Sequence, residues 1–171
     1  STTVFGKKIN IPIFLSPTAM QRLYHHDGDK ASAKAAEKFG TFYSMSTMAN
    51  NTIEEISSIS SGPKLFQLYV HKDQSITDDL IDRCRISKFD GMCLTVDTLV
   101  AGNREKDYRT GFTTPPKLTL QSLISFATHP SWVFNYLTHG KFKLANVANK
   151  TDKGTNISKS VIEYINEQYD P

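Results

Sequence analysis

The fold class follows from one stretch of the chain, Leu65-Phe66-Gln67-Leu68-Tyr69-Val70, and from what comes after it. This run is apolar and rich in residues that favour strands. Residues 76–84 follow, with apolar side chains at helical spacing, and a second apolar run begins at Gly91. A strand, a helix and another strand in this order predict a βαβ unit with parallel strands.

The same alternation extends towards the start of the chain. The four strand candidates are Ile9–Leu15, Thr41–Met45, Leu65–Val70 and Gly91–Val96. A helical face ending at Phe39 is closed by Gly40, and a second helix opens with Thr52 and Glu55 as a capping box. A third is expected to open at Ser75. The units recur every 24 to 30 residues, which favours an α/β protein of the (β/α)8 TIM-barrel class. A doubly wound sheet is the alternative, but its glycine-rich phosphate loop is missing from this stretch.

Composition excludes several classes of protein. The chain has 171 residues, 39% of them hydrophobic and 22% charged, which excludes collagen-like and disordered chains. The net charge of +3 is small and spread out, so we expect no nucleic-acid partner. No secretory signal pattern opens the sequence, and we expect a cytoplasmic protein. Cys84 and Cys93 stand in apolar settings and are predicted to be reduced core thiols.

Beyond the fourth strand candidate the pattern changes. Two apolar-patterned segments appear, Leu118–Ala127 and Ser131–Leu137, and residues 140–157 are rich in Lys, Asn, Thr and Gly and are expected to be mobile. Four strands are half of what a barrel needs. We therefore interpret residues 1–112 as the first half of a (β/α)8 barrel, about four βα units. Residues 113–171 are interpreted as a long helical and mobile insertion after strand 4, truncated before the rest of the barrel.

Polar side chains stand where the strand candidates end. They are the segment Ser16-Pro17-Thr18-Ala19, and the pairs Ser44 and Ser46, Gln67 and Tyr69, and Thr95 and Asp97. The members of each pair are spaced by two, so each pair shares one face of its strand. In a barrel these ends form the active-site mouth, and a buried polar group without a partner costs about 1–3 kcal/mol. We interpret the set as a binding site for a polar ligand; the alternative is a barrel rim whose residues satisfy one another.

Three further groups carry charge or metal-binding chemistry. Asp97 follows an apolar run and would seek a cationic or histidine partner. Arg104 lies in a charged cluster and could bind a carboxylate or phosphate, although a solvated loop with internal ion pairs is the alternative. The sequence His25-His26-Asp27 is interpreted as a solvated loop, with metal binding as the weaker alternative, and no metal site is assigned.

Four motifs occur together in register. They are Ser16-Pro17-Thr18-Ala19-Met20, Phe66-Gln67-Leu68-Tyr69, Leu94-Thr95-Val96-Asp97-Thr98 and Gly102-Asn103-Arg104-Glu105-Lys106-Asp107. On these motifs the chain resembles the FMN-dependent α-hydroxy-acid dehydrogenases and oxidases, a family that includes L-lactate dehydrogenase, lactate oxidase and glycolate oxidase. The likeness is specific from Ser1 to about Phe112 and looser beyond it.

The resemblance implies FMN as the cofactor and a role for each matching residue. The flavin ring would lie against the segment Pro17, Thr18, Ala19. Its pyrimidine end would be hydrogen-bonded by Ser46, Gln67 and Thr95.

The resemblance also implies catalytic roles for three residues. Tyr69 would hydrogen-bond the oxygen on the substrate's C2, Asp97 would pair with a catalytic histidine, and Arg104 would add positive potential. None of the five histidines lies in the motif that carries the base in this family. We therefore expect the 171-residue chain alone to be inactive.

The implied activity is oxidation of a short L-2-hydroxy acid, with L-lactate to pyruvate favoured. Met48 stands where the glycolate-oxidising branch has tryptophan, which leaves more room for a substrate. Electrons would pass to a quinone, a cytochrome or oxygen, and the intact enzyme is expected to be a homo-oligomer. The aromatic segment Ser125–Lys141 suggests peripheral contact with the inner face of the cell membrane. A non-catalytic half-barrel interaction module and a phosphosugar-type barrel enzyme are the alternatives.

Overall fold

The structure is a computed structural model that describes residues 1–96, 105–110, 119–139 and 143–147. Its strands are β1 (Thr2–Val4), β2 (Lys7–Ile9), β3 (Tyr43–Ser46), β4 (Lys64–Leu68) and β5 (Gly91–Leu94). Its α-helices are α1 (Asp29–Phe39), α2 (Ile53–Ile59), α3 (Gln74–Ile86), α4 (Glu105–Thr110), α5 (Leu120–Ala127) and α6 (Pro130–Thr138). A short 3-10 turn, Gln21–Leu23, precedes α1.

Strands β3, β4 and β5 form one parallel sheet in that order. Ser46 lies opposite Gln67, and Gln67 lies opposite Cys93. Each strand is joined to its neighbour by one helix, so successive βα units lie side by side in chain order. This progression, without a reversal of strand order, is that of a (β/α)8 barrel wall.

The predicted first strand, Ile9–Leu15, is wrong over most of its length. Ile9 ends β2, which pairs with β1 in an antiparallel hairpin. Only Leu15 bridges the parallel sheet, where its N–H donates to Phe42 O (3.1 Å) and its carbonyl accepts from Ser44 N (3.1 Å). Pro12 explains the interruption, since proline has no N–H to donate to a strand ladder.

The two faces of the sheet bury different side chains. The face towards the helices carries Tyr43, Met45, Phe66 and Leu68, which pack on the apolar sides of α1, α2 and α3. On the opposite face, Ile9, Phe42 and Leu65 form a separate apolar cluster. The hairpin thus covers the end of the sheet where the strands begin, and the other end is left for polar residues.

Helix boundaries follow the sequence closely. Thr52 and Glu55 form the predicted capping box of α2, and Gly40 ends α1 with a left-handed φ of 64°. At α3 the prediction is off by two residues. The cap is Asp73, two residues earlier, whose carboxylate accepts from Ser75 N at 2.9 Å and satisfies one of the free N–H groups of the first turn.

Part of the segment predicted to be mobile is instead docked. Ala145, Asn146 and Val147 are buried, and Ala145 N donates to Ala49 O at 3.1 Å. The prediction failed because composition cannot show that Asn146 finds specific backbone partners on a distant loop. The two apolar-patterned segments are helices in the structure. Helix α5 starts two residues later than its segment, and α6 starts one residue earlier than its segment. Within the described ranges, no helix has the length and hydrophobicity to cross a membrane.

The two cysteines differ in environment. Cys84 is buried on α3, and burial raises the pKa of its thiol to about 12, which suits the predicted inert core thiol. Cys93 is exposed, so its core assignment is wrong. It lies on β5, which pairs only with β4 among the described strands.

Candidate functional site

A row of hydrogen-bonded polar side chains crosses the carboxyl ends of the parallel strands. Ser46 Oγ donates to Gln67 Oε1 at 3.3 Å, and Gln67 Nε2 donates to Thr95 Oγ1 at 2.8 Å. Ser46 and Gln67 are buried, and Thr95 is half-buried. Three residues that are far apart in the sequence are thereby brought into one line.

Thr47 fixes the middle of this row. Its hydroxyl donates to Gln67 O at 2.6 Å and accepts from Tyr69 N at 3.1 Å. Its backbone N–H also donates to Gln67 O at 3.0 Å. The backbone around Gln67 therefore has little freedom, and the amide group is held at a defined position on the interior face.

The segment Pro17, Thr18, Ala19 lies beside the row and is largely exposed. Pro17 and Thr18 are exposed and Ala19 is half-buried. The segment is tied to the loop after β3, since Met20 N donates to Met48 O at 3.2 Å. Thr18 lines a cavity of about 390 Å³ that none of the three polar-row residues lines. The structure thus places this segment next to the site without a direct contact to the row.

Of the three predicted catalytic residues, the structure describes the position of one. Tyr69 is half-buried immediately after β4, on the same strand face as Gln67. Asp97 and Arg104 lie outside the described residues. Only Tyr69 therefore has a described position near the polar row.

A buried network of hydrogen bonds lies on the helix-facing side of β3, opposite to the polar row. The Asp29 carboxylate is fully buried and accepts from Tyr43 OH (3.0 Å) and Asn50 N (2.9 Å). Burial raises its pKa, and these hydrogen bonds oppose that shift. Asn50 Oδ1 accepts in turn from Arg22 N at 3.0 Å. The network links α1, β3 and the two loops that flank the polar row.

The sequence alone does not reveal this network, although one signal was available. Tyr43 stands on the helix-facing side of an otherwise apolar strand, and a buried phenol needs a hydrogen-bond partner. A carboxylate at the start of a neighbouring helix is a natural acceptor for the phenol's hydrogen bond. Asp29 is the only acidic residue in the first turn of α1.

Comparison with known proteins identifies the family. The sequence model of the family described as FMN-dependent dehydrogenase matches residues 1–171. The chain belongs to the FMN-dependent dehydrogenase family. It is 43% identical to glycolate oxidase 1 of Zea mays over 122 residues, which are 71% of this chain and 33% of that relative. Identity to the glycolate oxidase of Spinacia oleracea is 42% over the same length and shares.

Solved structures of family members share the fold. A structure of (S)-mandelate dehydrogenase, described as a monotopic membrane protein, superposes with a TM-score of 0.86 and 27% identity, covering 99% of this chain and 44% of that one. Pediococcus acidilactici lactate oxidase gives a TM-score of 0.64 and 34% identity over 74% of this chain and 35% of the other. The predicted TIM-barrel class is confirmed, and FMN is the cofactor of the family. The chain spans about a third of the length of the curated relatives it matches.

Proposed function

We propose that the protein carrying this chain oxidises a short L-2-hydroxy acid with FMN, and that L-lactate, converted to pyruvate, is its substrate. The observation that carries the proposal is the hydrogen-bonded row Ser46, Gln67 and Thr95 at the carboxyl ends of adjacent parallel strands. Ligands of barrel enzymes bind at this end. Membership of the family supports this function over the interaction module and the phosphosugar enzyme.

The residues of the row suit the pyrimidine edge of a flavin. That edge presents both hydrogen-bond donors and acceptors, and a primary amide flanked by two hydroxyls offers both. The row is already connected internally, so its members are oriented before a ligand arrives. The largely exposed segment Pro17, Thr18, Ala19 would lie against the ring.

FMN, when bound, supplies the redox chemistry by accepting two electrons and the hydrogen from the substrate's C2. The chain's own residues would bind and orient. Tyr69 would donate a hydrogen bond to the C2 oxygen as its charge changes. Asp97 would hold a histidine base in position, and Arg104 would attract the substrate's carboxylate.

Lactate is proposed as the substrate because of Met48. Its side chain is buried, its N–H donates to Ser46 Oγ at 3.2 Å, and its carbonyl binds the loop after Ala19. Its backbone therefore lies between the polar row and the flavin-facing segment. A flexible thioether there leaves room for the methyl group that distinguishes lactate from glycolate.

Anaerobic mixing of the FMN-loaded intact protein with candidate substrates tests the function. L-Lactate is expected to bleach the flavin absorbance in single turnover, and faster than glycolate or (S)-mandelate. D-Lactate serves as the control, since a site built for one enantiomer should leave the flavin oxidised. No bleaching by any 2-hydroxy acid would refute the activity, and faster bleaching by glycolate would refute the substrate alone.

We also propose that α5 and α6 contact a membrane surface, at the inner face of the cell membrane. Large apolar side chains are exposed on both helices, with Leu120 at 77% and Leu137 at 74% of their full accessible area. Leu123, Ile124 and Phe134 extend this surface. An exposed apolar patch of this kind marks a membrane or protein contact. The likeness to a monotopic membrane protein over 99% of the chain supports the membrane, and a quinone in the bilayer would then be a reachable electron acceptor.

Sedimentation with lipid vesicles tests the membrane contact. The intact protein is expected to sediment with vesicles, and the double variant Leu123→Glu, Leu137→Glu should stay in solution. Phe39→Glu is the matched control, because Phe39 is an equally exposed apolar residue on α1. Equal sedimentation of the double variant and the wild type would contradict the proposal.

A further inference from the structure

Three histidine rings lie against one another where the loop before α1 meets the end of α6. His25 and His26 lie in the loop before α1, and their ring centroids are 4.2 Å apart. His139 directly follows α6, and its ring stacks on that of His26 with centroids 4.0 Å apart. The sequence-based interpretation of a solvated loop did not include His139, which is more than a hundred residues away.

A carboxylate lies against the first two rings. Asp27 Oδ2 is 3.8 Å from His25 Nδ1, and Asp27 Oδ1 is 3.7 Å from His26 Nε2. Both separations are too long for hydrogen bonds, since heavy atoms about 3.6 Å or more apart no longer form one. In addition, His26 Nδ1 is buried and makes no hydrogen bond within the described part of the chain. His25 Nδ1 accepts a long hydrogen bond from Asp27 N at 3.3 Å. The groups of the cluster thus lie close together, with weak hydrogen bonding between them.

The spacing of the ligand atoms matches what one metal ion can bridge. One ligand atom each from His25, His26 and Asp27 lie within 4.8 Å of one another. Zinc binds imidazole nitrogen at about 2.0–2.1 Å and carboxylate oxygen at about 2.0–2.2 Å, mostly in tetrahedral geometry, so two ligand atoms of one ion lie about 3.4 Å apart. The distances of 3.7 and 3.8 Å exceed this value by only a few tenths of an ångström. Rotation of the exposed side chains of His25 and Asp27 would bring the ligand atoms to this spacing.

Charge favours an ion at the Asp27 side of the cluster. The adjoining cavity, of about 190 Å³, is lined by Arg22 together with the three histidines, whereas Asp27 does not line it. The Asp27 carboxylate would offset one of the two charges of a divalent cation bound between it and the two imidazoles. Two imidazoles and one carboxylate form a donor set that suits zinc and its neighbours in the first transition row.

We propose that His25, His26 and Asp27 bind one divalent transition metal ion of the zinc class, with water completing the coordination. His139 is a positioning residue, because its stacked ring restricts the orientation of His26. Its Nδ1 lies 2.9 Å from Asn135 O, which anchors the ring to α6. The bound ion would thus stiffen the contact between the loop before α1 and the end of α6.

The same contact has a second anchor that reports on it. Trp132, the only tryptophan of the chain, donates from Nε1 to Leu23 O at 2.8 Å and lines the cavity with the histidines. A paramagnetic ion at the site is expected to quench the fluorescence of this residue. The proposal does not depend on the flavin function, because both the ligands and the reporter lie outside the polar row.

Calorimetric titration with Zn²⁺ of the intact protein, first stripped with a chelator, tests the proposal. The wild type should bind one more equivalent of Zn²⁺ per chain than Asp27→Asn, and His26→Ala should lose the same equivalent. His129→Ala is the matched control, since His129 is an exposed histidine that lies outside the cluster, and it should bind like the wild type. Circular dichroism checks that each variant is folded, and Asp27→Asn keeps the test valid if His26→Ala unfolds.

Two further measurements sharpen the outcome. Co²⁺ should quench Trp132 in the wild type but not in Asp27→Asn. His139→Phe, which keeps an aromatic ring against His26, should retain Zn²⁺ affinity better than His139→Ala, which should weaken it by about tenfold or more. Equal Zn²⁺ stoichiometry in the wild type and Asp27→Asn would overturn the site. Loss of binding in His129→Ala would overturn it equally.

Discussion

Gln67 Nε2 lies 2.8 Å from Thr95 Oγ1, although the two residues belong to different βα units and are 28 positions apart. This bond joins β4 to the end of β5 on the interior face of the sheet. With Ser46 on the other side of Gln67, it makes a continuous polar row at the carboxyl ends of three neighbouring segments. The proposed flavin site is built on this relationship.

Removing the phenol of Tyr43 should destabilise the protein. Tyr43→Phe leaves the buried Asp29 carboxylate without one of its donors, which costs about 1–3 kcal/mol. Denaturant unfolding of the intact protein measures this. Tyr24→Phe, at an exposed tyrosine, should change stability by less than about 0.5 kcal/mol. Equal effects of the two variants would show that the Asp29 network contributes nothing.

Asn146 should fix the docked part of the insertion. Its Oδ1 accepts from Ile53 N at 3.0 Å and its Nδ2 donates to Asn51 O at 3.1 Å, so it caps the start of α2 from a distant segment. Asn146→Ala should cost about 1–2 kcal/mol, with faster amide hydrogen exchange at Ile53. The exposed Asn10→Ala is the control. Unchanged exchange at Ile53 would contradict the assigned cap.

Stability should depend on pH through His71. This side chain is fully buried, and burial lowers its pKa below the ordinary value of 6.5. The unfolded chain therefore binds a proton more readily than the folded one, so stability is highest above pH 6.5 and falls as the pH drops below it. His71→Phe should flatten the stability profile between about pH 7 and 5. His129→Phe, at an exposed histidine, should leave it as in the wild type, and an identical slope in both variants would contradict the assignment.

Enlarging residue 48 should shift substrate preference. Met48→Trp enlarges the side chain at a position whose backbone joins the polar row to the flavin-facing segment, and should lower kcat/KM for L-lactate relative to glycolate by about tenfold or more. Steady-state kinetics with both substrates measures the ratio. Met48→Leu is the conservative control and should keep the wild-type ratio. An unchanged ratio in a folded, FMN-loaded Met48→Trp protein would contradict the argument from Met48 that L-lactate is the substrate.

The fold could be predicted from local signals, and the failures have identifiable causes. The capping box at Thr52, the glycine after Phe39 and the three strands that begin near residues 43, 64 and 91 give local signals, and the structure confirms them. The first strand failed at Pro12, where a missing N–H outweighs the apolar pattern. The docking of Asn146 and the buried Asp29 depend on partners that are distant in sequence, so no local pattern could show them.

The site was predictable only in part for the same reason. Alternation along a strand placed Ser46, Gln67 and Thr95 on interior-facing positions, and the structure joins them by hydrogen bonds. Their binding of FMN stays a prediction, as do the roles of Tyr69, Asp97 and Arg104. The cluster around His26 needed three dimensions, because His139 reaches it from the far end of α6.

Titration of the FMN-free intact protein with FMN, followed by flavin fluorescence, tests the central claim most directly. Gln67→Met keeps the length of the side chain but removes both hydrogen-bonding ends of the row's middle member, and should weaken FMN binding by about tenfold or more. Gln74→Met, the same change at an exposed position on α3, should bind FMN like the wild type. Equal FMN affinity in Gln67→Met and the wild type would contradict the claim that the polar row holds the flavin.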